Sequence, residues 1–166
     1  MVLLLLVLAL GGNALIKEGQ RGSYDEQLTN MLKIAPSIVR LATEHEVVLT
    51  HGNGPQVGNL YVQQEMSVGR AVPMPLHVCV AMSQAMIGYI IQQAITCASR
   101  ALRLEVEVVT VLTRVLVDED DPAFANPTKP IGDYYDHRTA TRLIEEAGWT
   151  MRYFEGRGWR RVVPSP

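Results

Sequence analysis

The chain has 166 residues, 48% hydrophobic and 19% charged, which is ordinary usage for one globular domain with a real core. A net charge of -2 and a pI near 6.1 leave no basic excess to neutralise a phosphate backbone, so no nucleic-acid partner is expected.

Val2 to Leu10 is a continuous apolar run. It lacks the positive start and cleavage pattern of a signal peptide and is too short to span a bilayer. It therefore reads as a central strand buried on both faces, in a cytoplasmic protein with no membrane partner. Ser23 followed by Glu26 forms a capping-box pattern, and Leu28, Met31, Ala35, Ile38 and Val39 repeat with helical period to about Glu44. Pro36 falls inside this pattern and is expected to kink the helix. Glu46 to Thr50 is a second short strand that ends at His51, after which Pro55 suits a first helical position, with Gly54 at the cap, of a helix reaching Met66. A turn region separates it from a long helix over about Leu76 to Ser99. Glu105 to Leu112 then returns as a β-branched strand. Strands alternating with helices imply an α/β fold with a mostly parallel sheet.

From Arg114 the texture changes. An acidic turn, Asp118 to Asp121, precedes a proline-rich loop from Asn126 to Gly132, a short amphipathic helix from Asp136 to Ala147 ending at Gly148, and a possible hairpin over Arg152 to Val163. This stretch is too small to bury a core of its own. Cys79 and Cys97 fall on the long helix, separated by roughly 27 Å at its rise per residue, so they cannot pair. The four histidines are scattered, and no metal site built from protein ligands is expected.

Three polar loops carry the chemistry. Gly11-Gly12-Asn13 and Gly52-Asn53-Gly54 each close an apolar strand and open a helix, an arrangement that turns backbone N–H groups toward an anion. Either turn alone also suits a plain strand-to-helix connection; two of them at one carboxyl edge of a sheet favour a phosphate site. His51 suits either a phosphate donor or an orienter of its own loop. Neither loop fits the P-loop or dinucleotide signatures. Lys129, the only lysine after Lys33, sits between prolines, and a single ammonium is what a transferring phosphoryl group requires, although a solvated surface lysine fits the same residue. The acidic run fits a solvated turn better than a Mg²⁺ site.

In order and in detail these motifs resemble carbamate kinase, a member of the amino acid kinase family. The matching segments are Val7 to Leu15, His51 to Gly58, Met82-Ser83-Gln84 with Ile87-Gly88-Tyr89, Asp121 through Gly132, and Gly158 to Pro166. The resemblance implies a three-layer αβα sandwich with a small protruding α+β subdomain. Residues 1–113 would form the lobe for carbamate or carbamoyl phosphate, 114–161 the subdomain over the substrate site, and 162–166 the return to the lobe. It also implies reversible phosphoryl transfer between carbamoyl phosphate and ADP in arginine catabolism, Mg²⁺ accompanying ATP or ADP, and a homodimer. Substrate contacts would come from Gly11, Gly12, Asn13, Gly52, Asn53 and Gly54, with His51 a further candidate, and Lys129 would be catalytic. Family members continue into a nucleotide-binding half, so the sandwich is expected to be incomplete and the isolated chain to bind carbamoyl phosphate weakly and turn over little. Alternatives are another acylphosphate-forming amino acid kinase and a non-catalytic anion-binding or oligomerising fragment.

Overall fold

A computed structural model describes residues 2–166, with the burial of Gly12 and the Asn13 side chain outside that description. The chain forms two compact units, one of Met1–Val57 with Pro75–Thr113 and the other of Gly58–Met74 with Arg114–Pro166.

The first unit is built on two parallel strands, β1 (Leu5–Leu10) and β2 (Glu46–His51). The short α1 (Gly12–Leu15) follows β1, and α2 (Tyr24–Ala42) begins with the capping box that Ser23 and Glu26 predict. Ser23 accepts the Glu26 N–H, and Glu26 returns bonds to the Gly22 and Ser23 N–H groups, which hold its carboxyl below the usual carboxylate range. Helix α4 (Leu76–Leu102) runs one turn further than its sequence pattern suggests and closes at Arg103 in the left-handed region. Its apolar stripe of Ile87, Ile91, Ala94, Ile95 and Ala98 interlocks with Met31, Ala35, Ile38 and Val39 of α2 to form the core. Alone among the described helices, α4 is long and apolar enough to cross a bilayer; in this fold that apolar stripe is spent on α2. No disulfide links Cys79 and Cys97, both on α4.

Two expectations fail here. β1 is covered on one face only: Leu6, Leu8 and Leu10 turn inward, whereas Leu5 and Val7 remain 64% and 63% exposed. A continuous apolar run therefore does not mark two-sided burial in this unit, because the helices of the core pack on a single side of the sheet. The segment from Glu105 to Leu112 joins no strand ladder. It lies instead on α4, where Gln84 exchanges two hydrogen bonds with the Thr113 backbone and Gln92 donates to Thr110 Oγ1. Leu104, Val106 and Val108 still alternate into the core, so the side-chain pattern is that of a strand without the backbone pairing.

In the second unit, β3 (Lys129–Tyr135), β4 (Met151–Phe154) and β5 (Gly158–Val163) form an antiparallel sheet in the order β3-β5-β4. The hairpin β4–β5 appears where the sequence suggests it. The proline-rich stretch does not stay a loop throughout: Lys129 already pairs with Val163 as the first residue of β3. Pro130 is tolerated because β3 is an edge strand, and the register slips between Ile131 and Tyr134 at Gly132, whose φ of 68° favours glycine. Short α5 (Pro122–Ala125) is capped by Asp121, and α6 (His137–Ala147) runs from the Asp136 cap to left-handed Gly148. Helix α3 (Gly54–Met66) starts in the first unit and continues into the second.

Gly88 sets how closely the 105–113 segment approaches α4, since a Cβ there would run into the Thr110 side chain. Gly88→Ala is expected to destabilise the chain by about 1–3 kcal/mol in urea unfolding. In a Thr110→Gly background the sign should reverse, because only the helix propensity gain, about 1 kcal/mol, then remains.

Candidate functional site

Register brings the two glycine loops together. Leu10 pairs with His51 at the carboxyl end of β1–β2, so Gly11 and Gly52 step off the same edge of the parallel pair side by side. The Gly11 carbonyl accepts the Ala14 N–H at 2.9 Å, which opens α1, and the Asn53 carbonyl accepts Val57 N–H at 2.9 Å, which opens α3. At Gly11, Gly52 and Gly54 the local fold does not itself call for glycine. None of Gly11, Gly52 and Gly54 has positive φ, and an added Cβ would meet nothing within 4 Å at any of them. Their missing side chains leave bare backbone that a ligand can approach. Gly12 and Asn13 follow at the start of α1, and the burial of Gly12 and the Asn13 side chain lie outside what the structure describes.

His51 and Asn53 are already engaged. His51 Nδ1 lies 3.1 Å from the Gly52 carbonyl. Asn53 Nδ2 donates to Ser83 Oγ at 2.8 Å, and Ser83, fully buried on α4, donates on to the Val80 carbonyl. One N–H of the Asn53 side-chain amide thus anchors the loop.

Sequence reasoning missed the buried polar residues beneath both loops. On α2, one turn apart, Gln27 and Asn30 are 2% and 3% exposed. Asn30 donates to the Leu15 carbonyl at the end of α1 and to Gln20 Oε1, while Gln27 accepts from Gln56 in the first turn of α3 at 2.9 Å and donates to the Gly22 carbonyl at 2.7 Å. The available signal was Gln27 and Asn30 interrupting the apolar stripe of α2.

Lys129 is exposed at the start of β3 in the second unit, whereas the glycine loops belong to the first. Arg152 Nη2 donates to Asn126 Oδ1 at 2.7 Å and so steadies the turn that leads to Lys129. Further along this unit the Arg161 guanidinium is half-buried between the Tyr61 and Trp149 rings, 5.0 and 4.5 Å from their centroids, and donates to the Tyr61 hydroxyl. One turn after Tyr61, Glu65 Oε2 accepts from the Tyr135 hydroxyl at 3.3 Å, and Glu65 Oε1 is buried without a partner. Burial pushes the Glu65 carboxyl up to about 7, reinforced by Asp133, and burial together with Glu65 pushes the Tyr135 phenol up to about 12.

The acidic run is spent on local structure: Asp118 accepts the Asp120 N–H and Asp121 caps α5. Among the described residues no three His, Cys, Asp or Glu side chains cluster as a metal site.

Comparison with known proteins gives three findings. Residues 5–138 match the amino acid kinase family. Carbamate kinase of Pyrococcus furiosus is 53% identical over 165 residues, covering 96% of this chain and 52% of that protein, and the Pyrococcus horikoshii enzyme is 51% identical over 163 residues with the same coverage. The structure of carbamate kinase from Giardia lamblia bound to AMP-PNP superimposes with a TM-score of 0.87 at 44% identity, over 98% of this chain and 52% of that one. The chain thus spans about half the length of the curated relatives it matches.

Glu65 makes stability depend on pH. Its folded carboxyl binds a proton more tightly than the unfolded one, so its contribution is lost as pH rises from about 4.5 to about 7. Glu65→Gln is expected to raise the melting temperature relative to wild type above pH 7 and to flatten the change across that window. Parallel melting curves for the two proteins from pH 4.5 to 8 check this.

Proposed function

We propose that this chain, which belongs to the amino acid kinase family, forms the carbamate and carbamoyl phosphate site of a carbamate kinase, an enzyme of reversible phosphoryl transfer between carbamoyl phosphate and ADP. The observation that carries this reading is the pairing of Leu10 with His51, which sends both glycine loops off one sheet edge. Similarity to the Pyrococcus and Giardia carbamate kinases supports the choice of substrate.

In this reading the backbone N–H groups of Gly11, Gly12 and Asn13 and of Gly52, Asn53 and Gly54 hold the phosphoryl end, and His51 orients the second loop. Lys129 supplies the cation that offsets charge on the transferring group. Carbamate is nucleophilic enough to need no general base, so the protein's work is alignment and electrostatic stabilisation. Residues 1–113 act as the binding lobe, 114–161 as the subdomain that delivers Lys129, and 162–166 as the return to the lobe. The nucleotide site belongs to the part of such enzymes outside this span; Mg²⁺ would enter with ATP or ADP, and no residue of this chain is assigned to hold it. A cytoplasmic homodimer acting in arginine catabolism completes the proposal.

Carbamoyl phosphate is expected to shift the backbone amide signals of Gly11 and Gly52 to Gly54 in the purified chain, and acetyl phosphate to do so less. Unchanged amides in a folded chain at saturating carbamoyl phosphate would sink the reading. With the nucleotide half of a relative supplied in trans, ATP formation from ADP and carbamoyl phosphate should depend on Lys129, and Lys129→Ala should lower it about 10²- to 10³-fold. Binding without any transfer in that mixture would favour an anion-binding module instead.

A further inference from the structure

We propose that one face of the β3-β5-β4 sheet carries a second binding site, for a doubly charged phosphate-type oxyanion, formed by Arg152, Arg157, Arg160 and Tyr134. It lies wholly within the second unit and does not rest on the carbamate kinase reading.

The argument starts from register. Arg152 of β4 stands directly opposite Arg160 of β5, and Arg160 stands opposite Tyr134 of β3. Directly opposed residues of adjacent strands share a face, so two guanidiniums and a phenol form one row across the sheet. Arg157, from the turn between β4 and β5, joins this row: its guanidinium lies 5.9 Å from the Tyr134 ring centroid and that of Arg160 lies 5.0 Å from it. Like charges facing each other across a ladder destabilise it unless something negative lies between them. Among the described residues the side-chain partners of these arginines are Asn126, the Gly132 carbonyl and Tyr134, none of them a carboxylate. In a chain of net charge -2, three unneutralised guanidiniums on one small face are a local reversal of sign.

The arrangement is also fixed in advance. Arg152 is tied to Asn126 at 2.7 Å, and Arg160 Nε to the Gly132 carbonyl, at the β3 bulge, at 2.9 Å. Each bond uses one of five guanidinium N–H donors and leaves terminal N–H groups for a ligand. Phe154 braces the Tyr134 ring edge-on at 5.9 Å. Hydrogen bonding from Arg157, with Arg160 adding to it, holds the Tyr134 phenol below the usual tyrosine range. Forked donors around a short span match the oxygens of a phosphoryl group, and the aromatic pair beside them would suit an organic monophosphate.

The test titrates the chain with inorganic phosphate and, separately, phenyl phosphate, against chloride at constant ionic strength, while arginine Nε–Hε signals are followed by NMR. Saturable shifts of Arg152, Arg157 and Arg160 with phosphate but not chloride are expected. An Arg152→Gln/Arg160→Gln variant, folded by its backbone amide spectrum, should bind at least about tenfold more weakly. Arg152→Gln alone, at an exposed position, should weaken binding in the same direction should the double variant unfold. Tighter binding of phenyl phosphate identifies a monoester as the ligand; equal binding identifies the free ion. Arginine signals that do not saturate, that respond equally to chloride, or that titrate unchanged in the variants overturn the site. A response confined to the Gly52 and Gly54 amides also overturns it, while leaving the carbamoyl phosphate reading intact.

Discussion

Two amides on one side of α2 are the constraint on which the first unit depends. Gln27 and Asn30 are buried in a helix that otherwise turns Met31, Ala35 and Val39 into the core, and a buried amide without partners costs about 1–3 kcal/mol. Their partners are the end of α1, through the Leu15 carbonyl, and the start of α3, through Gln56. One helix thereby ties down the elements that follow both glycine loops. With Asn53 bound to Ser83 on α4, the second loop is held from two helices at once. The bare backbone at Gly11, Gly52 and Gly54 is left open by a scaffold that fixes everything around it.

The second unit solves a different problem. It has few buried apolar residues, and beside the strand ladders its elements are held together by arginine and aromatic contacts: Arg161 between Tyr61 and Trp149, Arg160 on Tyr134, His137 stacked on Trp159. Arginine suits this role because its weakly hydrated planar head stacks on rings while its stem covers apolar surface. Glu65 is the exception, a carboxyl drawn into the unit with one oxygen unpartnered, and its ionised form is the charge that this packing handles least well.

How much of this was legible in the sequence can be followed element by element. The Ser23–Glu26 capping box, the Asp136 and Gly148 limits of α6 and the hairpin after Met151 rest on interactions a few residues apart, and each stands where its pattern suggests. The errors are of another kind. Val2 to Leu10 reads as buried on both faces and is covered on one; Glu105 to Leu112 reads as a paired strand and lies on α4 without a ladder. Both depend on what lies alongside the segment, which local pattern does not encode.

The sequence by itself determined the alternation of strands and helices, the helix caps and the two glycine turns, because spacing and residue type act over a turn or less of chain. It also carried the motif order that matches the amino acid kinase family. Only the tertiary structure decided that Leu10 and His51 share a register, that Ser83 and Gln27 hold the loops from below, and that Arg160 faces Tyr134. Those contacts join residues far apart in the chain, and strand register and buried hydrogen bonding choose them only once the elements have packed.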